Sequence, residues 1–130
     1  MSLSPLFKEA DVIHVYTRAQ AIADGVLIDV SVMAREAGFK VPVALTAAVW
    51  SDCVAWPFQD GLQDEPGRLW DVLTMARLEA KRHGNLQVLP FRVLRVPRGG
   101  TQPQLTQLTL HIGPGDQAEP VITILQPGED

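Results

Sequence analysis

The sequence predicts an α+β domain, and the periodicity of its apolar residues is the main observation behind this prediction. Apolar residues recur with helical spacing in the segment that ends at Gly84 and at every second position after it. We therefore expect helices in the middle of the chain to be followed by a run of strands. Short connections containing glycine and proline separate the last three strands, which favours a three-stranded antiparallel meander. We expect a single domain over residues 1–130, with the helices packed on one face of the sheet.

An N-terminal strand–helix–strand portion is predicted from consecutive segments. Residues 11–16 (DVIHVY) are β-branched and aromatic, which is typical of a strand. Thr17 is a good helix N-cap and Gly25 is a natural residue after a helix end, so a short helix should lie between them. The apolar run 26–30 predicts a second strand, and Ser31 is then placed to cap another short helix.

Two amphipathic helices are expected in the middle of the chain. The first begins at the N-cap Thr46 and carries apolar residues on one face as far as Trp56. The second begins at Pro66, which suits the first turn of a helix, and it ends at Gly84 after a cationic last turn. Leucines and alanines spaced by four, three and four residues give this second helix its apolar stripe.

The C-terminal part contains three segments with strand character. Residues 86–96 form the first, and Pro90 inside it indicates an edge, a bulge or a strand start. Residues 108–112 alternate between apolar and polar side chains, and residues 121–125 form the last strand. The glycine-containing connections between them lack the spacing of a phosphate-binding loop, so we interpret them as hairpin turns.

The composition indicates the cellular compartment and argues against a membrane-spanning helix. The single cysteine, Cys53, cannot form an internal disulfide, and we interpret it as a buried core residue. The first ten residues lack the apolar core of a signal peptide. The most apolar stretch, residues 41–50, is about half the length that a membrane helix needs. We therefore expect a cytoplasmic protein that does not bind a membrane.

No cofactor or metal is expected from the pattern of potential ligands. His14, His83 and His111 lie far apart in the sequence, and one cysteine does not make a zinc pattern. The net charge of −4 argues against nucleic acid as a partner. A basic excess between Arg77 and Arg98 leaves a local phosphate-binding or acid-binding surface as an alternative to ordinary solvated faces.

The most chemically suggestive cluster lies at the first strand–helix junction. His14, Tyr16, Thr17 and Arg18 bring a histidine, a tyrosine, a helix N-cap and an arginine close together. Such a cluster could hold an anion at the start of a helix. The alternative is that Thr17 caps the helix and Tyr16 packs, with no ligand involved.

The same segment resembles the first elements of ADP-ribosyltransferase-like enzymes, through HVYT at 14–17, a short helix and DGVL at 24–27. The resemblance implies a histidine on the first strand that contacts the ribose on the nicotinamide side. The later aromatic residue and the catalytic acid of that family have no counterpart that we can assign. Asp29 and Asp52 are the acids nearest in sequence, and we include Asp29 in the candidate ligand site but assign no catalytic residue.

The three tryptophans form a second group of candidates. Trp50, Trp56 and Trp70 lie on or beside the two central helices. Tryptophan in such positions usually belongs to the core, but an exposed tryptophan is a typical anchor of a protein interface. We therefore assign the three to a candidate partner-binding surface.

Three segments together resemble a family of small proteins of unknown function encoded on bacterial plasmids, integrated elements and phages. These segments are 16–31 (YTRAQAIADGVLIDVS), 42–50 (PVALTAAVW) and 113–130 (GPGDQAEPVITILQPGED). The resemblance implies a mobile-element setting and a bacterial cytoplasm. It implies no reaction, cofactor or catalytic residue.

Two main functional hypotheses follow. The first is a non-enzymatic accessory protein that binds a host or element-encoded protein, which requires an exposed apolar patch at a tryptophan or at the edge of the C-terminal sheet. The second is a nucleotide-directed enzyme with a concave site at the first strand–helix junction. Nucleic-acid binding by the Arg77–Arg98 region is a weaker third hypothesis, because the protein as a whole is acidic.

Overall fold

The computed structural model describes residues 16–129, so the predicted strand at 11–16 lies outside the described residues except for Tyr16. The strands are β1 (Leu27–Asp29), β2 (Val43–Thr46), β3 (Val88–Arg95), β4 (Gln104–Pro114) and β5 (Pro120–Leu125). The helices are α1 (Arg18–Ala23), α2 (Ser31–Glu36), α3 (Ala47–Val49) and α4 (Glu65–Arg82), and a π-helical turn (Trp50–Val54) continues α3. The predicted α+β class is confirmed.

The five strands form one mixed sheet in the order β1-β2-β5-β4-β3. β5 pairs with β2 in parallel and with β4 in antiparallel orientation. β1 and β3 are the two outer strands, and each pairs antiparallel with its single neighbour. The last strand of the chain therefore joins the N-terminal and C-terminal parts of the sheet.

Strand β2 was not predicted from the sequence. Its first three residues, Val43, Ala44 and Leu45, are each fully buried. A strand covered on both faces has a continuous apolar run rather than an alternating one, and such a run has no period of two. The apolar stretch 41–50 therefore gave no sign of the strand that precedes the helix predicted from Thr46.

The predicted helix from Thr46 to Trp56 begins where expected, but it becomes a π-helical turn after Val49 and ends before Trp56. Thr46 is the N-cap, and its hydroxyl accepts a hydrogen bond from Val49 N at 3.2 Å. After Val49 the chain widens into the π-helical turn, and helical geometry ends at Ala55, which has an extended ψ of 131°. Trp56 N then donates to Glu65 Oε2 at 2.9 Å instead of to a helical carbonyl.

The second central helix is confirmed. Asp64 caps α4 by accepting a hydrogen bond from Gly67 N at 2.7 Å. The apolar stripe contains buried Leu69, Leu73 and Ala76, as the spacing predicted. Arg68 is buried beside them with an exposed fraction of 5%, and this burial was not predicted.

The main core lies between the sheet and the helices α2, α3 and α4. Ile122 and Ile124 of β5 face this core, so Thr123 between them faces the opposite side of the sheet. Arg18 of α1 donates to Thr123 Oγ1 at 2.7 Å, which places α1 on that opposite side. The prediction that all helices lie on one face is therefore wrong for α1, because the buried residues Ala44 and Val121 need cover on the second face.

Candidate functional site

The first strand–helix junction is built around the N-terminus of α1. Thr17 caps the helix as predicted, with Gln20 N donating to Thr17 Oγ1 at 3.0 Å and Thr17 N donating to Gln20 Oε1 at 2.9 Å. Tyr16 is exposed, and its hydroxyl donates to Asp24 Oδ2 at 2.7 Å. This hydrogen bond to a carboxylate is the main reason that the pKa of Tyr16 is raised. His14 lies outside the described residues.

The amide groups at the start of α1 already bind a carboxylate. Asp116, in the turn between β4 and β5, accepts hydrogen bonds from Arg18 N at 2.8 Å and from Ala19 N at 3.0 Å. The Arg18 guanidinium points along the sheet and also donates to the Ile122 carbonyl oxygen at 2.7 Å. An exogenous anion at this helix terminus would have to displace Asp116.

Asp29 lies across the same junction, at the end of β1. Its Oδ1 accepts hydrogen bonds from Ser31 N at 3.1 Å and from Ser31 Oγ at 2.6 Å. Ser31 was predicted to cap α2, but it is the first helical residue, and its hydroxyl instead accepts a bond from Val43 N at 3.0 Å. The serine therefore links α2 to β2.

A cavity of about 290 Å³ opens between these groups. Three carboxylates line it (Asp29, Asp116 and Glu119), against one arginine, Arg18. The excess of negative charge does not favour a phosphate ligand. The assignment of Tyr16, Thr17, Arg18 and Asp29 to a ligand site stays a prediction.

The three tryptophans have different surroundings. Trp50 is half-buried against the core. Trp56 is buried, its indole nitrogen donates to Asp60 Oδ1 at 3.0 Å, and its ring meets Phe58 edge to face at 5.2 Å between centroids. Trp70 lies on α4 with 40% of its surface exposed. Of the three, Trp70 offers the most surface to a partner.

The outer strand β3 has a defined pattern of backbone hydrogen bonds. Ile112 N donates to the Gln87 carbonyl oxygen at 2.8 Å, which fixes the alternation of hydrogen bonds between β3 and β4. Every second residue of β3 from Leu89 onward bonds to β4, so Val88, Pro90, Arg92 and Leu94 direct their backbone groups outward. Among residues 16–129, no strand pairs with this side of β3.

A groove of about 450 Å³ crosses this open edge. We call it the β3-edge groove, and it is lined by Asp71, Thr74, Met75, Arg92, Val93, Leu94 and Leu105. Leu94 and Leu105 are cross-strand partners that are 61% and 56% exposed. Met75 of α4 is 40% exposed on the other side of the edge. The groove therefore offers apolar surface on both sides of a strand edge that no other described strand covers.

A second pocket, next to the groove, contains two arginines. We call it the arginine pocket; it has a volume of about 260 Å³ and shares Asp71, Val93 and Leu94 with the groove. Arg68 enters it from the first turns of α4, where its Nε donates to the Val54 carbonyl oxygen and its Nη1 to the Val96 carbonyl oxygen, both at 2.9 Å. The guanidinium also lies 4.9 Å from the Trp56 ring centroid.

Arg95 enters the arginine pocket from the end of β3. Its Nη2 lies 3.0 Å and 3.2 Å from the two carboxylate oxygens of Asp52, which belongs to the π-helical turn. Cys53, the next residue of that turn, is buried beside this ion pair. Burial and the Asp52 carboxylate raise the pKa of Cys53 to about 12, so the side chain is a neutral thiol.

Sequence analysis missed Arg68 and assigned Arg95 only to the basic region between Arg77 and Arg98, although the burial of each follows a periodicity. Arg68 precedes Val72 and Ala76 by four and eight positions, so it lies on the buried side of α4. Arg95 continues the series Leu89, Phe91 and Val93, whose side chains face the core. The alternation also separates Arg95 from exposed Arg92, so these two members of the Arg77–Arg98 region lie on opposite faces of the sheet.

Two further findings concern possible cofactors and membranes. Within residues 16–129, no group of three or more histidine, cysteine, aspartate or glutamate side chains is arranged to hold a metal ion. In the same range, no helix combines the length and the apolar character that a membrane crossing requires.

The sequence has a clear family relationship. No curated protein and no solved structure matches it. The model of the Family of unknown function (DUF6573) matches residues 3–130, which is nearly the whole chain. This confirms the expected membership in a family of unknown function: the chain belongs to the DUF6573 family.

Proposed function

We propose that the protein is a non-enzymatic accessory protein of a bacterial mobile element that binds another protein in the cytoplasm. The partner, encoded by the host or by the element, contributes an extended segment that adds a strand to β3. The observation that carries this proposal is the β3-edge groove, because it combines backbone groups that no strand within residues 16–129 pairs with and exposed apolar side chains. The mobile-element setting is supported by the resemblance of segments 16–31, 42–50 and 113–130.

The backbone of β3 limits where a partner strand can pair. Pro90 directs its nitrogen toward the free edge but has no N–H to donate, a common protection of edge strands. Beyond it, Arg92 and Leu94 each direct an N–H and a carbonyl group outward. Pairing should therefore centre on Arg92 and Leu94, where the groove lies.

The side chains of the groove define the chemistry of the partner. Leu94 and Leu105 are exposed on one side of the edge and Met75 on the other, which suits a strand with apolar side chains on both faces, at successive positions. Asp71 and Arg92 supply one charge of each sign. The expected partner segment is extended, apolar at successive positions and free of proline at the paired residues.

A substitution of Arg92 tests the strand addition directly. Peptides are selected from a display library of random octapeptides on the immobilised protein, and their affinities are measured by fluorescence polarisation. Arg92→Pro removes the outward N–H but no bond to β4, and Arg92→Ala removes only the side chain. We expect about tenfold weaker binding to Arg92→Pro than to Arg92→Ala, the effect of one lost hydrogen bond.

Two outcomes would refute the proposal. The first is that the selection yields no binding peptide, or that its peptides bind both Arg92 variants equally. The second is a homodimer in light scattering that Arg92→Pro dissociates, which would assign the edge to a second copy of the chain. Val32→Lys, at an apolar residue that is 76% exposed outside the groove, is the control for general effects of surface charge.

A nucleotide-directed enzyme at the first junction receives less support. The cavity beside Arg18 is concave, as that hypothesis requires. However, Asp116 already binds the helix amides, and three carboxylates line the cavity. A nucleotide phosphate would be repelled there unless a cation accompanied it.

A further inference from the structure

We infer that the arginine pocket is a binding site for a carboxylate. This inference goes beyond strand addition and does not depend on it, because a free carboxylate tests it without a partner protein. Its basis is a buried positive charge that the described residues leave without full compensation. Arg68 is 95% buried, since only 5% of its surface is exposed, and its three hydrogen-bond acceptors are all uncharged.

The hydrogen-bonding capacity of the two guanidinium groups is also incomplete. Arg68 Nη2, Arg95 Nε and Arg95 Nη1 are buried and have no partner among residues 16–129. A buried donor without a partner is costly, and a buried charge is more costly still. A ligand that supplied both acceptors and a negative charge would therefore be stabilised here.

Charge selects the kind of anion. Asp52 already pairs with Arg95, so Arg68 is the guanidinium of the pocket that has no ion-pair partner among residues 16–129. Asp71 also lines the pocket and would repel a second negative charge. A singly charged carboxylate, which can accept a bond from each guanidinium, fits this balance better than a doubly charged phosphate.

Gln63 identifies the position that the carboxylate would take. Its Oε1 accepts a long hydrogen bond of 3.3 Å from Arg68 Nη1, and its half-buried side chain lines the pocket. The amide oxygen is thus a weak neutral acceptor where a charged one would bind more strongly. Displacement of the Gln63 side chain would free Arg68 Nη1 for the ligand.

The first experiment measures thermal stability and NMR signals during titration with acetate. Sodium chloride keeps the ionic strength constant, and phosphate is titrated in parallel. We expect acetate to raise Tm and to shift the Arg95 Nε–H signal in a saturable way, with a smaller effect of phosphate. Arg95→Gln should abolish the rise in Tm, while Arg35→Gln, at an exposed arginine on α2 outside both pockets, should retain it.

A substitution that introduces a carboxylate into the pocket provides an independent test. Substitution of Arg68 itself removes the partners of two backbone carbonyl groups and can prevent folding. Gln63→Glu instead places a carboxylate next to Arg68 Nη1 and leaves those bonds intact. We expect this variant to have a higher Tm than the wild type and to have lost the response to acetate.

A peptide experiment distinguishes the two possible sources of the carboxylate. It can be a free organic acid or an acidic side chain of a protein segment, since the pocket and the groove share three residues. A valine-rich peptide with one glutamate is compared with acetate and with the same peptide carrying glutamine. Glutamate-dependent binding tighter than that of acetate assigns a protein segment, and equal binding assigns a free acid.

Three results would overturn the inference. One is the absence of any response to acetate or the glutamate peptide in the wild type. Another is a response that Arg95→Gln retains in full. The third is stronger binding of phosphate than of acetate, which would contradict the charge argument. Failure of strand addition, by contrast, would leave the response to acetate unchanged.

Discussion

At the scale of single residues, Arg68 is the one charged side chain that is buried in the described part of the molecule. It links the end of the π-helical turn, through the Val54 carbonyl, to the end of β3, through the Val96 carbonyl. Burial lowers the pKa of Arg68, which shows the cost of removing a cation from water. Hydrogen bonds to the two carbonyls and the contact with the Trp56 ring offset part of this cost.

Cys53 provides a prediction about pH and reactivity. Its pKa, raised to about 12 by burial and by Asp52, lies above the value of about 8.5 in an unfolded chain. The unfolded state therefore loses its proton first, so the stability that this thiol contributes is complete below about pH 8.5 and falls as the pH rises toward 12. At pH 8 a thiol reagent should modify the native protein at least ~100-fold more slowly than the urea-unfolded protein.

Absorbance after mixing with an aromatic disulfide reagent measures this difference. Cys53→Ala gives the background rate. Equal rates for native and unfolded protein would show that the thiol is accessible and ionised, contrary to its burial beside Arg95 and Asp52.

At the scale of elements, α1 is too short to be stable without tertiary contacts. It has six residues, and an isolated helix of that length does not persist in water. Thr17 caps it locally, whereas Asp116 binds its first amides from the turn between β4 and β5. A contact across almost a hundred positions therefore holds this helix on the sheet.

Asp116→Ala should loosen α1 selectively. Loss of the charged cap is expected to cost about 1 kcal/mol, which corresponds to roughly fivefold faster opening of the α1 amides. Hydrogen exchange followed by NMR measures the effect at each residue, and the β3 amides should be unaffected. Glu36→Ala, at an exposed glutamate on α2, is the matched control. Unchanged exchange in α1 would contradict the anchoring role of Asp116.

At the scale of the whole molecule, β5 determines how the two parts of the chain are connected. It lies between β2 and β4, and Ile124 faces the core with no exposed surface. Neither part can complete the sheet without this strand. The core formed by α2, α3 and α4 is likewise continuous across both parts.

We therefore expect unfolding to be a single cooperative transition, as for one domain. Denaturation followed by tryptophan fluorescence, which reports on residues 50–70, and by circular dichroism should have coincident midpoints. Ile124→Ala should lower the free energy of unfolding by about 2–5 kcal/mol and shift both transitions equally. Separate transitions, or a shift in only one signal, would show that the parts unfold independently. Val32→Ala, at an exposed residue, should change stability by less than about 0.5 kcal/mol.

The sequence by itself determined the features that depend on neighbours in the chain. Thr17 and Thr46 cap helices because a hydroxyl reaches an amide three residues away. The periodicity of α4 and the alternation in β3 follow from helix and strand geometry, so both elements were predicted. The α+β class followed from the order of these elements.

Only the tertiary structure decided the features that depend on distant residues. β2 has no period of two because it is covered on both faces, and the second face is covered by α1, which Asp116 and Thr123 anchor. The free edge of β3 depends on the strand order, which local patterns do not encode. The arginine pocket depends on the meeting of α4, the π-helical turn and the end of β3. Burial of a charged side chain is favourable only when distant acceptors surround it, and that condition is set by the fold.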